Sequence, residues 1–157
     1  MKSKIFNTQE VQAILDGRKT QFRTVVKVRT DINKKEWVDT LIPDYAKHQI
    51  GDILFVKETD ARIFLKVTNV RVERLQDISN EDCIKSGIYK TLDKSGCFSS
   101  YVFTVIKPIV IDDFIYTDYY CSEVEAYEEL WSSKAKEDYK WEDNPYVFVN
   151  EFERVDR

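Results

Sequence analysis

The sequence predicts a single α+β domain, residues 1–157, wrapped around a curved sheet or barrel. Three observations carry this. Short β-branched runs recur along the chain, one of them a long alternating run over 62–75. Three short capped helices are scattered between them. The 157 residues contain no internal repeat and no Pro/Gly-rich linker. A chain of this length holds one domain with a real core. Its 33% charged and 43% apolar residues exclude a disordered chain, and only 4 Gly and 3 Pro exclude a collagen-like one.

Asn7 or Thr8 can cap a first helix, with Glu10 placed to reach back to a cap at Asn7. Val11, Ile14 and Leu15 then form its apolar stripe, and Gly17 stops it. Residues 22–28 read as a β-branched strand and 36–42 as a weaker one ending before Pro43. Gly51-Asp52 is a turn, followed by the buried strand Ile53 to Val56. In the run 62–75, Ile63, Leu65 and Val67 share one face while Phe64, Lys66 and Thr68 share the other, and its length implies a bend. Ser79 caps a second helix that Gly87 ends. Lys94-Ser95-Gly96 is a turn, and Tyr101 to Ile111 is strand-rich up to and beyond Pro108. Ser122 and Glu125 form a capping box for a third helix with the stripe Val124, Tyr127, Leu130 and Trp131. Residues 146–152 form a last strand. The expected core is Leu15, Val25, Phe55, Leu65, Val67, Val70, Trp131, Val147 and Val149.

Several chemistries are excluded. Met1 to Phe6 lacks the apolar run of a signal peptide and no 18-residue apolar stretch exists, so a cytoplasmic location without membrane contact is expected. Cys83, Cys97 and Cys121 fit reduced thiols. Without Cys-x-x-Cys, and with His48 alone, a zinc site is not expected, and His48 reads as a solvated turn residue. No phosphate-loop, dinucleotide or serine-hydrolase motif is present, so no metal or cofactor is implied. An enzyme here would have to work with Lys, Tyr, carboxylates or hydroxyls.

The net charge of −4 argues against a nucleic-acid partner until it is divided. Residues 17–75 carry a net +5 and residues 76–157 a net −9. The densest feature of the basic part is Gly17-Arg18-Lys19-Thr20-Gln21-Phe22-Arg23-Thr24. A glycine ends a helix, and basic and hydroxyl side chains line the entry to a strand. Lys19 and the arginines suit phosphate, and Phe22 suits either base stacking or a core position.

Gly17-x-Lys19 after Ile14-Leu15 resembles the signature loop of the ASCH domain, a PUA-like β-barrel whose usual pattern is Gly-x-Lys-x-x-Thr-x-Arg. Ala13 to Gln21, Gly51-Asp52 with Phe55-Val56-Lys57-Glu58-Thr59, and Val67 to Ser79 are similar to the bacteriophage branch of that family. So are Leu130-Trp131 and Trp141 to Phe152. The resemblance implies a PUA-like curved barrel of about five to seven strands with three short helices. It also implies RNA or nucleotide binding beside the loop, at Arg18, Lys19, Thr20, Gln21, Phe22, Arg23, Thr24, Lys57 and Ser86. Some small ASCH proteins resemble amidohydrolases of acylated cytidine with a Lys/Thr/Glu site. Here Lys19 keeps the Lys position, but Phe22 stands at the Thr position, Thr24 at the Arg position and Ser86 at the acidic one. The resemblance also shows a shortened segment, since Glu58-Thr59 runs directly into Arg62-Ile63-Phe64. The expectation is an accessory protein, phage-encoded and non-catalytic, that binds single-stranded RNA or a nucleotide. The alternatives are an amidohydrolase with Lys19 as its catalytic candidate, and a protein that docks on a host or phage protein through the acidic, aromatic segment 112–129.

Overall fold

A computed structural model describes residues 1–27, 46–57, 60–135 and 139–157. The elements run β1 (Lys2–Ile5), α1 (Thr8–Leu15), β2 (Gln21–Val25), β3 (Ile53–Lys57), β4 (Phe64–Arg74), α2 (Asn80–Lys85), β5 (Tyr89–Asp93) and β6 (Ser100–Thr104). They continue with β7 (Val110–Ile111), β8 (Phe114–Ile115), α3 (Glu123–Lys134) and β9 (Tyr146–Val155). The expected strand over 36–42 and the Glu58-Thr59 pair lie outside the described residues. Among the described residues, no helix is long and apolar enough to cross a membrane.

The helices start where their caps predict. Asn7 accepts the Glu10 amide at 2.8 Å, and Glu10 Oε2 accepts the Asn7 amide at 2.9 Å, a reciprocal capping box. Ser79 accepts from the Asp82 amide and Ser122 from the Glu125 amide, each at 3.1 Å. The box expected at Ser122 is not reciprocal, because the Glu125 carboxylate takes the Cys121 amide instead.

The main sheet has five strands in the order β1-β3-β4-β9-β2, with β1 parallel to β3 and the other pairs antiparallel. Two-stranded ribbons β5-β6 and β7-β8 stand apart from it. Among the described residues the expected barrel is therefore not closed: β1 and β2 are the outer strands of the sheet and do not pair with each other. They are nevertheless neighbours, since the Phe6 ring just after β1 meets the β2 ring of Phe22 edge-on, with centroids 5.7 Å apart. The sheet curls until its two edges face each other across a seam.

Alternation decides which side chains fill the curl. Phe148, Asn150 and Phe152 of β9 face inward with Phe22, while Val147 and Val149 face the helices. A bulge between Val67 and Asn69 switches the parity of β4. Leu65 and Val67 point inward before it; Val70 and Val72 do so after it. The inner core joins Phe6, Ile14, Phe22, Leu54, Val56, Ile63, Leu65, Val67 and Phe152. Each such side chain contributes about 1.5–3 kcal/mol relative to exposure. The second core, under α2 and α3, includes Leu75, Cys83, Ala126, Tyr127, Val147 and Val149. Of the expected core, Val25, Phe55, Val70 and Trp131 are half-buried, and Leu15 is 38% exposed because it closes α1 on its outer side.

His48 corrects a second expectation. It is not a solvated turn residue but 2% exposed, with its ring edge-on to Phe22 at 5.4 Å. Burial, with Lys4, Lys47 and Lys2 adding and Asp52 opposing, pushes its pKa from 6.5 down to about 4. The folded state refuses a proton that the unfolded chain accepts, so His48 makes stability fall as pH drops from about 6.5 to about 4. His48→Gln should flatten that part of the profile, read as denaturation midpoints at successive pH values. An unchanged slope would place the acid sensitivity elsewhere.

Candidate ligand cleft

The seam between β1 and β2 opens into a cleft of about 1000 Å³. Its lining comes from β1, α1, the loop into β2 with β2 itself and Lys27 beyond it, Lys47 before β3, the end of α2, α3 with Ala135 and Tyr139 beyond it, and Phe148 of β9.

The loop Gly17 to Thr20 is held at both sides. Gly17, at φ 76°, makes the left-handed turn that ends α1. The Arg18 and Lys19 amides both donate to Ala13 O, and the Thr20 amide donates to Lys85 O at 2.8 Å. Lys19 is thereby driven inward and is only 4% exposed. Its ammonium donates to Gln21 O at 3.0 Å and Ser86 O at 2.9 Å, and lies 3.8 Å from Glu10 Oε1. All three of its protons face protein acceptors. Burial pushes the Lys19 pKa down to about 8, against the pull of Glu10, with Lys134 and Lys4 also lowering it.

Glu10 is the centre of this charge cluster. One oxygen completes the α1 capping box; the other faces Lys19 and pairs with Lys134, the last residue of α3. Burial raises its pKa, but Lys19 and Lys134 outweigh that and hold the carboxyl below its ordinary value. Lys4 completes the group. Its ammonium sits over the Phe22 ring, 4.9 Å from the centroid, and makes no hydrogen bond or ion pair among the described residues. Its pKa is lowered by burial and by Lys134 and Lys47, with Glu10 opposing. Lys27 and Lys47 add further positive charge, and Trp131, Tyr139 and Phe148 add aromatic surface. The Trp131 indole N–H donates to Tyr139 O at 2.9 Å, tying the turn after α3 to the cleft wall.

Of the residues expected at the site, Lys19, Phe22, Arg23, Thr24 and Ser86 line this one cleft; Arg18, Thr20, Gln21 and Lys57 do not. Arg18 stacks on Tyr89 at 3.6 Å and donates to Gly87 O. Gln21 bonds Asp82 at 3.2 Å, and Lys57 is exposed at the end of β3. Phe22 is buried within the inner core and reaches the cleft beneath Lys4. Arg23 is committed to Glu73, to Asp82 at 3.3 Å and to Gln21 Oε1 at 3.2 Å. The Ser86 hydroxyl donates to Asp82 O at 2.8 Å, and Thr24 Oγ1 accepts from Asn150 at 3.3 Å. Lys4, Glu10 and Lys134 were not anticipated. Their sequence signals, a polar terminal segment, a capping glutamate and a helix-ending lysine, have ordinary structural readings.

The segment 112–129 is likewise placed. Asp112 and Asp113, both at positive φ, form the tip of the β7-β8 hairpin, and Val110, Ile111, Phe114, Tyr116 and Tyr119 are exposed around it.

No family model and no curated protein matches this sequence. Among solved structures, the chain is similar to the ASCH domain from Lactobacillus crispatus JV V101. The match covers 98% of this chain and 78% of that one, with a TM-score of 0.50 and 14% sequence identity. A five-stranded curled sheet and three short helices among the described residues, with this structural match, mean that the chain has the fold of an ASCH domain.

Proposed function

We propose that the cleft binds single-stranded RNA or a nucleotide, and that the protein is an accessory factor that holds this ligand without turning it over. The observation that carries the reading is the lining of the cleft. Among the described residues, five lysines (Lys4, Lys19, Lys27, Lys47 and Lys134) line it with one carboxylate, Glu10, beside the aromatic side chains of Trp131, Tyr139 and Phe148. Cations suit a sugar–phosphate backbone and aromatic rings suit unstacked bases, a combination that favours single strands over duplexes. The absence of turnover is supported by Phe22 at the hydroxyl position of the resemblance, and by Ser86 and Lys19, whose protons face backbone carbonyls. In this reading the chain is phage-encoded and works in the host cytoplasm, as the sequence blocks suggest.

A fluorescence titration with a short single-stranded RNA, repeated across salt concentrations, tests it. Binding should weaken with salt, and Lys47→Ala should reduce the salt slope by about 0.7 for the phosphate contact removed. Trp131→Ala should weaken binding by about 1–3 kcal/mol if a base stacks there. No binding at low salt would sink the reading, and release of acetate from acetylcytidine would replace it with the amidohydrolase.

The hairpin tip favours a second activity, docking on a basic protein surface. Exposed apolar and aromatic side chains surround Asp112, Asp113 and Asp118, and no Lys or Arg lies between Lys107 and Lys134.

A further inference from the structure

Resting on the nucleic-acid reading above, we propose that the part of the cleft around Glu10 is a seat for a terminal phosphate monoester, held by Lys4 and Lys134. The ligand is then a nucleoside monophosphate or the phosphorylated end of a single strand, rather than an internal stretch of RNA.

The argument begins with donors. Lys19 has none to offer, since two of its protons go to the carbonyls of Gln21 and Ser86 and the third faces Glu10. Lys134 pairs with Glu10 through one contact and retains two protons. Lys4 is held in place by the ring of Phe22 and has no hydrogen-bond or ion-pair partner among the described residues. Among the described residues, the cationic donors this cluster leaves open are therefore Lys4 and Lys134, from β1 and the end of α3.

Charge then selects the ligand. Lys4, Lys19 and Lys134 against Glu10 leave two positive charges uncompensated at one side of the cleft. An internal phosphodiester carries one negative charge and would neutralise half of that. A phosphate monoester carries about −1.5 to −2 near neutral pH and has three acceptor oxygens, which matches both the charge and the two-lysine geometry. The nearly buried Lys19 and Glu10 back the cluster on one side, as suits a strand end rather than a strand passing through.

The test compares tetrauridylates that carry a 5′-phosphate, a 3′-phosphate or hydroxyls at both ends, with uridine monophosphate set against uridine. One of the phosphorylated ends should bind roughly tenfold or more tightly than the hydroxyl form. Lys4→Gln and Lys134→Gln should each bring that ratio toward one by weakening the phosphorylated form more than the hydroxyl form. Lys4→Gln leaves the Glu10 pairs intact, so it separates loss of the seat from loss of the fold. Inorganic phosphate should compete with the phosphorylated form alone. Equal affinity for all three oligonucleotides would overturn the seat and leave the RNA reading standing. Absence of any binding at about 50 mM salt would remove both. A variant that weakens all forms equally would take Lys4 and Lys134 out of the seat.

Discussion

Asp82→Ala is expected to cost about 3–5 kcal/mol of stability, because it removes the hub of a buried ion network. Asp82 Oδ2 accepts from Arg71 at 2.6 Å and from Arg23 at 3.3 Å, and Oδ1 accepts from Gln21 at 3.2 Å. Arg23 also pairs with Glu73, and Arg71 with Glu151 at 3.4 Å, so α2 is tied to β2, β4 and β9 at once. The Arg23 side chain is fully buried, and without Asp82 Glu73 is the one counter-ion left to it among the described residues. The double variant Arg23→Met/Asp82→Leu should recover much of the loss, since an apolar pair of similar volume avoids the desolvation of both ions. Urea unfolding of the two single variants and the double gives the coupling. A cost below about 1 kcal/mol for Asp82→Ala would mean that solvent already compensates Arg23.

Lys19→Met is expected to cost about 2–4 kcal/mol even with no ligand present. The substitution leaves the carbonyls of Gln21 and Ser86 without their ammonium donor, and Glu10 with Lys134 as its one cationic partner among the described residues. A pH signature separates this role from ligand binding. Lys19 titrates at about 8 in the folded protein against 10.5 ordinarily, so the folded state loses its proton before the unfolded chain does. Stability should therefore rise from about pH 8 toward pH 9, helped by Lys4, whose pKa is also lowered. Above pH 9 the trend is opposed by Cys83, whose thiol burial pushes from 9.0 to about 12, so that the unfolded chain ionises first. Lys19→Met should show a smaller rise over pH 8–9. An unaltered rise, or a variant as stable as the parent, would free Lys19 to contact a ligand directly.

These two results would also explain why the charge division of the sequence and the charge in the cleft draw on different residues. Arg23 and Arg71 belong to the basic segment, but Glu73, Asp82 and Glu151 neutralise them from β4, α2 and β9. The positive charge left in the cleft comes instead from Lys4 and Lys134, outside that segment, as well as Lys27 and Lys47 within it. Local rules were legible. The Asn7 and Ser79 caps, the alternation through Leu65 and Val67, and the last strand all stand where residue type and spacing place them. Long-range facts were not. Lys2–Ile5 is a polar strand of four residues that pairs with β3, some fifty positions away, and nothing in its own composition marks it. Glu10 reads as a cap, and only the meeting of β1, α1 and α3 turns it into a counter-ion.

The pairing of β2 with β9 also sets the order in which the molecule can be assembled. Gln21 lies opposite Glu151 and Val25 opposite Val147, contacts that span most of the chain. Such pairings close large loops before they gain any stabilisation, which makes folding slow. During synthesis, β2 leaves the ribosome early, but its strand partner β9 follows only with residues 146–155. On the proposed reading of the cleft, ligand binding would begin only once β9 has been made, since Phe148 is part of the lining.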